Sequence, residues 1–178
     1  LIVIGAPRSG TTLLYNLFKS HKEIYVPESR KEIYYFNKNF YKGLDWYKSF
    51  FSNLKKDYNY YADITPTYLY LKDLKNFKKT LGKDVKIIVI IRNPVKRLLS
   101  DYHFRKRIHN YSKDIDEFVK DYDFALSHGF YLKDLKKFKS IYKENFLILR
   151  YDEFFKINVL KKISFFLYIN KSNFDSGL

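Results

Sequence analysis

Leu1-Ile2-Val3-Ile4-Gly5-Ala6-Pro7-Arg8-Ser9-Gly10-Thr11-Thr12 is an apolar run that passes directly into a glycine-containing loop. The run of Leu, Ile and Val before Gly5 predicts a buried strand of a parallel sheet. Leu14, Leu17, Phe18 and His21 then fall at i, i+3, i+4 and i+7, the spacing of a helix with one covered face. The loop is therefore predicted at a strand-to-helix turn, where free backbone amides and the helix dipole bind anions.

The two glycines of this loop have the spacing of the phosphate-binding frame G-x-x-x-x-G-K-[ST], but Thr11 stands where the frame has lysine. In nucleotide kinases that lysine contacts the β and γ phosphates, and the next hydroxyl holds Mg²⁺. Here the cation lies earlier, at Arg8, which favours a clamp on a shorter anion without a metal. The residues expected to bind the anionic end of the ligand are Arg8, Ser9, Gly10, Thr11 and Thr12.

Composition limits the class of protein without choosing its ligand. With 178 residues and 46% hydrophobic content, the chain can form one domain with a proper core. No stretch approaches the roughly 20 apolar residues of a membrane span. The absence of cysteine excludes disulfides and thiolate metal sites. The net charge of +15 favours polyanions as partners, although codon bias toward lysine explains it equally well, and nucleic acid, anionic glycan and nucleotide all stay open.

Three further segments read as strands, and helical patterns separate them. They are Tyr60–Ile64, the strongly apolar Val85–Ile91, and Asn145–Leu149. Strands that alternate with helices predict an α/β fold of the P-loop type, with three layers (α/β/α) and a central, mainly parallel sheet. The chain has no internal repeat and no linker-like tract, so residues 1–178 are interpreted as a single domain.

The second strong signal is the junction at which the strand ending in Ile91 meets Arg92, Asn93 and Pro94. Asn93 suits a helix N-cap and Pro94 the first helical position, so Arg92 is predicted at the carboxyl end of a parallel strand, where such sheets bind ligands. Ser100 lies about two turns along that helix, and the two side chains could share one phosphate. Alternatively, Arg92 caps a neighbouring helix and Ser100 is an ordinary surface serine. The residues expected on the covered face of the helix are Val95, Leu98, Leu99 and Tyr102.

Together, the segments Gly5–Thr12 and Arg92–Tyr102 resemble the two nucleotide signatures of sulfotransferases that use 3′-phosphoadenosine 5′-phosphosulfate (PAPS). The resemblance implies that the loop from Arg8 to Thr12 holds the 5′-phosphosulfate, and that Arg92 with Ser100 holds the 3′-phosphate. The two segments lie far apart in the sequence, so their joint occurrence is much more specific than either alone.

A third region, Lys31–Asn37 followed by Tyr41–Phe51, is similar to the heparan sulfate and bacterial carbohydrate sulfotransferases. Within that group it most resembles the sulfotransferase domain of heparan sulfate N-deacetylase/N-sulfotransferases. The resemblance implies that Glu32 is the catalytic base, that Arg8 stabilises charge on the leaving oxygen, and that the acceptor is a glycan hydroxyl or amine. The residues expected near the acceptor are Lys31, Tyr35 and Trp46. Alternatively, Lys31 is a solvated surface lysine and the two aromatic residues belong to the core. Two later blocks, at Tyr61–Leu69 and Phe146–Phe154, also resemble these enzymes.

The sequence departs from the family pattern at three points. Ile64 stands where many relatives have a lysine, and Phe104 stands where relatives often have a histidine, with His103 one residue early. A one-residue shift turns a side chain by about 100° around a helix, so His103 is expected to face elsewhere. The downstream Lys-Gly-Arg loop that closes over the nucleotide is missing, and the chain starts at Leu1 inside a predicted strand and contains no methionine. The domain is therefore interpreted as truncated at both ends.

Two other classes of function remain as alternatives. A P-loop kinase or NTPase would have lysine at Thr11 and a carboxylate at the end of an apolar strand, where Arg92 stands. A basic module that binds polyanions without catalysis would bind in a strongly salt-dependent way, and nucleic acid is the less favoured partner. His21, His109 and His128 lack metal-ligand spacing and are interpreted as structural. The compartment stays open between the cytoplasm of a bacterium and the Golgi lumen, as does the oligomeric state.

Overall fold

The chain alternates between short strands and helices. The computed structural model describes residues 1–52, 57–154, 158–171 and 174. The strands of these residues are β1 (Ile2–Gly5), β2 (Ile24–Tyr25), β3 (Tyr60–Tyr61), β4 (Asp63–Ile64), β5 (Ile87–Ile91) and β6 (Phe146–Arg150). Their α-helices are α1 (Thr11–Ser20), α2 (Gly43–Lys48), α3 (Lys75–Leu81), α4 (Pro94–Ile108), α5 (Ile115–Asp121), α6 (Phe124–Ser127), α7 (Leu132–Tyr142) and α8 (Asn158–Leu167). Short 3₁₀ turns cover Phe40–Lys42, Ser49–Phe51, Pro66–Tyr70, Lys143–Asn145 and Tyr151–Glu153, and a π-helix covers Tyr35–Asn39.

The central sheet has four parallel strands in the order β4-β1-β5-β6. This confirms the predicted parallel α/β architecture. The predicted strand Tyr60–Ile64 is divided between two sheets, because β3 pairs with β2 in a separate two-stranded sheet and β4 pairs with β1. The division falls at Ala62, whose N–H donates to Tyr25 at 2.8 Å, whereas the next amide, of Asp63, donates to Leu1 at 3.1 Å.

Side chains of the central strands alternate between two apolar layers. On one face, Val3 and Ile88 pack with Phe18 of α1 and Ile163 of α8. The covered face predicted for α1 is confirmed, since Leu14, Leu17, Phe18 and His21 are all buried. The faces of a strand alternate with a period of two residues, so the remaining strand residues must be covered from the other side.

The opposite face carries the second apolar layer. Ile4 and Val89 pack there with Phe77 of α3 and Phe138 of α7. Helices therefore cover the sheet on both sides, as the three-layer prediction required. No helix in the described ranges is both long and apolar enough to span a bilayer.

The buried face of helix α4 is rotated from the one predicted, although Leu98 and Tyr102 of the predicted face are half-buried. Its N-cap is as expected, because the Asn93 side chain accepts from the N–H groups of Val95 and Lys96 at 3.0 and 3.1 Å. Val95 and Leu99, however, are 62% and 40% exposed. The buried side chains of this helix are Arg97 and Asp101.

The reason is the partner on which α4 packs. This helix contacts α6, and the Arg97 guanidinium donates to the backbone carbonyl of Ala125 there. Asp101 lies one turn further along, with Arg97 Nη1 at 3.4 Å from Asp101 Oδ2. A buried carbonyl requires a donor, so the charged Arg97 is buried on this side of α4 while the apolar Val95 and Leu99 are exposed.

We expect Arg97→Met to lower the free energy of unfolding by about 3 kcal/mol, because it leaves a buried carboxylate and carbonyl without their donor. For a chain of this size that corresponds to a melting temperature lower by about 6 to 12 °C in a thermal scan. Arg107→Met, the same change at an exposed position of α4, is the control and should shift the transition little. Equal shifts in the two variants would contradict a stabilising role for the buried pair.

Candidate active site

A cavity of about 550 Å³ opens at the carboxyl edge of the central sheet. Its walls come from the loop after β1, the segment around Glu32, the turn after β4, the residue after β5, one side of α4 and Tyr151. Of the residues predicted as site residues, those that line it are Arg8, Gly10, Thr11, Thr12, Lys31, Glu32, Arg92 and Ser100. Those that do not line it are Ser9, Tyr35 and Trp46.

The loop after β1 presents the start of α1 to the cavity. Helix α1 begins at Thr11, and its first i to i−4 hydrogen bond runs from Leu14 N–H to Gly10 C=O at 3.1 Å. The amides of Thr11 and Thr12 therefore precede the helical ladder, and the first turn holds no acidic residue. This arrangement is suited to an anion.

Ser9 lies behind the loop and not in its concave face. Its side chain is fully buried, and its N–H donates to the Ala6 carbonyl at 3.2 Å. The free amides expected from Ser9 to Thr12 therefore start after Ser9, because the Ser9 amide is hydrogen-bonded within the turn.

Arg8 projects from the loop onto helix α4. Its guanidinium carbon lies 4.1 Å from the ring centroid of Phe104, a cation–π contact. Burial lowers the pKa of Arg8, the charge of Asp101 opposes that shift, and the nearby charges of Arg107 and Arg92 add to it. Within the described residues, Arg8 Nε is buried without a hydrogen-bond partner. An anion that enters the cavity would therefore stabilise the Arg8 guanidinium electrostatically.

Arg92 adjoins Arg8 because β1 and β5 are neighbours. Arg92 Nη1 donates to the Arg8 carbonyl at 3.0 Å, and its guanidinium carbon lies 4.3 Å from the ring centroid of Tyr151. The hydroxyl of Tyr131 donates to the Arg92 carbonyl at 3.1 Å. Arg92 is thus bound to a loop and not to a helix end, and Ser100 lines the same cavity from α4.

Glu32 lines the same cavity as these arginines and lies between two donors. Lys31 Nζ lies 2.9 Å from Thr12 Oγ1 and 3.4 Å from Glu32 Oε1. The hydroxyl of Tyr34 donates to Glu32 Oε2. Burial, together with the hydrogen bond to Glu32 and the charge of that carboxylate, raises the pKa of Tyr34. A carboxylate, an ammonium and a phenol therefore lie beside the start of α1.

A buried carboxylate anchors the segment that carries Glu32. Asp63 accepts hydrogen bonds from Thr65 Oγ1, Tyr68 and Tyr47 at 2.6, 2.9 and 3.1 Å. Burial raises the pKa of Asp63 to about 6, against the opposing effect of these three donors. Thr65 Oγ1 in turn accepts from the N–H of Ile33 at 3.1 Å. The network fixes the backbone next to Glu32 relative to β4.

Tyr35 and Trp46 belong to an aromatic cluster and do not line the cavity. Tyr35 is 2% exposed, and its ring stacks on Tyr47 at 4.5 Å between centroids. Trp46 is half-buried against Tyr35 and Phe50, at 6.4 and 4.9 Å. In a chain that is 20% aromatic, these rings pack between the π-helix and α2.

The departures from the family pattern also have structural consequences. Phe104 occupies the site as the aromatic face under Arg8, and His103 is exposed at an adjoining cavity of about 390 Å³. Ile64 is 1% exposed and belongs to the apolar core. Among the histidines, His21 is buried with Nε2 3.2 Å from the Asn170 carbonyl, and His128 stacks on Tyr70 at 3.8 Å.

Sequence reasoning missed two charged residues of the cavity, Asp101 and Arg105. The Arg105 guanidinium lies over Tyr122 and Phe124, at 4.7 and 5.1 Å from their centroids. The available signal was their i, i+4 spacing on α4, parallel to that of Ser100 and Phe104. In the described part of the chain, no three His, Asp or Glu side chains are grouped so as to hold a metal ion.

Comparison with known proteins finds a matching family and several similar proteins. The family described as the sulfotransferase domain matches residues 1–175 of the chain. The membrane-associated sulfotransferase kil1 of Dictyostelium discoideum is 36% identical over 105 residues, which are 58% of this chain and 22% of that protein. Heparan sulfate glucosamine 3-O-sulfotransferase 3B1 of Mus musculus is 30% identical over 101 residues, or 57% of this chain and 25% of that protein. The chain thus matches a quarter or less of the length of these relatives.

Two solved structures share the fold. A sulfotransferase from Alicyclobacillus acidocaldarius superposes with a TM-score of 0.86 at 20% identity, covering 96% of this chain and 81% of that one. The mouse sulfotransferase SULT7A1 complexed with PAP superposes with a TM-score of 0.57 at 20% identity, covering 95% of this chain and 58% of that one.

The glycine at the start of α1 yields a test of the loop. Gly10 has φ 92°, and a Cβ there would lie 2.9 Å from Tyr151 Cδ2, whereas Gly82 has φ 74° with nothing within 4 Å. Gly10→Ala and Gly82→Ala should each lower stability by about 1 to 3 kcal/mol, because both glycines have a positive φ that other residues seldom adopt. Only Gly10→Ala displaces the ring under Arg92, so we expect it alone to weaken binding of adenosine 3′,5′-bisphosphate, by about tenfold in calorimetry. Equal affinities in the two variants would contradict this account of the loop.

Proposed function

Because the chain belongs to the sulfotransferase domain family, we propose that it transfers a sulfuryl group from PAPS to a hydroxyl or amine of a carbohydrate. One observation carries the proposal. Arg8 from the loop after β1, and Arg92 and Ser100 from the β5–α4 junction, line a single cavity with the Glu32 carboxylate. We propose in addition that residues 1–178 form one domain of this kind.

The residues of the cavity fit a ligand with two anionic ends. Four cationic side chains and two acidic ones line the cavity. The cations are Arg8, Lys31, Arg92 and Arg105, and the acids are Glu32 and Asp101. In the described residues, the Nε atoms of Arg8, Arg92 and Arg105 are buried without a hydrogen-bond partner. Buried donors without partners are rare in folded proteins, so these three favour an anion as the partner.

PAPS, when bound, supplies the sulfuryl group and a phosphate leaving group. In the proposed assignment, Arg8 and the amides of Thr11 and Thr12 hold the 5′ end and stabilise the charge that develops there. Arg92 and Ser100 hold the 3′-phosphate. Glu32 accepts the proton of the attacking hydroxyl or amine, and Lys31, already bound to Thr12, lies between the base and the loop.

A carbohydrate acceptor is supported by the names of the relatives. Heparan sulfate glucosamine 3-O-sulfotransferases and a bifunctional heparan sulfate N-deacetylase/N-sulfotransferase of Homo sapiens are among them, the latter 30% identical over 113 residues. The first group is named for transfer to oxygen and the second for transfer to nitrogen, so either acceptor atom agrees with the proposal. A kinase or NTPase is disfavoured, because the loop has Thr11 in place of lysine and β5 is followed by Arg92.

Removal of Arg92 tests the nucleotide site. Arg92→Ala should weaken binding of adenosine 3′,5′-bisphosphate by about 10- to 100-fold, the effect of losing a hydrogen-bonded charge partner. Calorimetry with the bisphosphate measures this, and Lys133→Ala, an exposed position on α7, serves as the control. A basic module without a nucleotide site would show the same weak, salt-dependent response in both variants.

Removal of the base tests the chemistry separately from binding. Glu32→Gln should lower the turnover of sulfate transfer from labelled PAPS by about 10²- to 10⁴-fold, since a general base contributes that much. Bisphosphate affinity should stay within about twofold, because the change lies outside the proposed phosphate contacts. Glu28→Gln is the matched control, an exposed carboxylate paired with Lys19 at 3.3 Å. Turnover retained in Glu32→Gln would remove Glu32 from its proposed role.

A further inference from the structure

The carboxylate of Glu32 is held from two sides by its sequence neighbours. Lys31 Nζ lies 3.4 Å from Oε1, and the hydroxyl of Tyr34 donates to Oε2. All three side chains line the cavity. The two oxygens therefore differ, since Lys31 is shared with Thr12 and Tyr34 gives its only proton to Glu32.

The backbone of Tyr34 adopts a conformation that requires support. Its φ is 56°, in the left-handed region that a tyrosine seldom occupies. The N–H of Tyr34 points to Thr65 Oγ1 at 3.4 Å, and its carbonyl accepts from the amides of Lys38 and Asn39, both at 3.0 Å. A strained residue persists where its surroundings hold it, and such residues cluster at functional sites.

The ring of Tyr34 is held as well as its backbone. The ammonium of Lys38 lies 4.8 Å from the ring centroid. Thr65, which accepts from the Tyr34 amide, donates to the buried Asp63 at 2.6 Å. The hydroxyl of Tyr34 is thus aimed at Glu32 by contacts that extend into the core of the sheet.

Resting on the function proposed above, we propose that Tyr34 is a positioning residue that fixes the Glu32 carboxylate for proton transfer. Its hydroxyl holds Oε2, and Oε1 is the oxygen that accepts the proton of the acceptor. That proton leaves as the bond from the acceptor oxygen or nitrogen to sulfur forms and the bond from sulfur to the 5′-phosphate oxygen breaks. A base held within a narrow range of orientations spends more time in reactive geometry.

The test is a kinetic cycle of four proteins: the native chain, Tyr34→Phe, Glu32→Gln and the double variant. Tyr34→Phe should lower kcat for transfer from labelled PAPS by about tenfold, with the KM for PAPS and the affinity for the bisphosphate within about twofold. In the Glu32→Gln background, Tyr34→Phe should cause no further loss, because Tyr34 acts through Glu32. Tyr60→Phe, which removes a half-buried hydroxyl bound to the Leu167 carbonyl at 2.8 Å, is the control and should leave kcat unchanged.

The outcomes separate this proposal from the function on which it rests. A native kcat in Tyr34→Phe, or a further loss in the double variant, would overturn the positioning role. A native chain that binds the bisphosphate but transfers no sulfuryl group would overturn the proposed function, and the catalytic meaning of Tyr34 with it. In that case the melting temperatures of a second cycle, with Glu32→Ala in place of Glu32→Gln, still test the contact, because Ala removes the acceptor of the Tyr34 hydroxyl. A non-additive loss supports the contact and an additive loss refutes it.

Discussion

Parallel pairing of β1 with β5 is the constraint on which the site depends. Ile2 lies opposite Ile87 and Val3 opposite Ile88, so both strands end at the same edge of the sheet. The loop that follows β1 and the arginine that follows β5 are thereby brought into contact, through the hydrogen bond from Arg92 to the Arg8 carbonyl at 3.0 Å. Two segments that the sequence separates widely thereby line one cavity, and helix α4 adds Ser100 to it from the same junction.

Bringing several cations to one edge has an electrostatic cost, and the structure offsets it in two ways. Aromatic faces lie against the guanidinium groups, Phe104 against Arg8 and Tyr151 against Arg92. Asp101 supplies a negative charge that acts on Arg8, and its own burial is compensated by Arg97. The buried pair on α4 is therefore part of the same electrostatic arrangement as the cavity, and it explains why polar residues replace an apolar helix face.

Two adjacent tyrosines, Tyr34 and Tyr35, have different environments because their backbone conformations differ. Tyr34, in a left-handed conformation, places its hydroxyl on Glu32, while Tyr35 begins the π-helix and is buried against Tyr47. Residue type and neighbourhood in sequence are the same for both. The difference comes from the hydrogen-bond network around Asp63. Through Thr65 it binds the backbone before Tyr34, and through Tyr68 it binds the amide of Tyr35 at the start of the π-helix.

The sequence alone determined the parallel α/β class, the buried face of α1, the Asn93 cap and the family, because short-range periodicity and loop chemistry are local properties. It also named half of the residues that line the cavity, since a parallel sheet collects the carboxyl ends of its strands at one edge. It did not determine the division of Tyr60–Ile64 between two sheets, the burial of Ser9 and Tyr35, or the buried Arg97 and Asp101. Only the tertiary structure decided these, because each depends on which distant backbone group, such as the Ala125 carbonyl, lies opposite the residue in space.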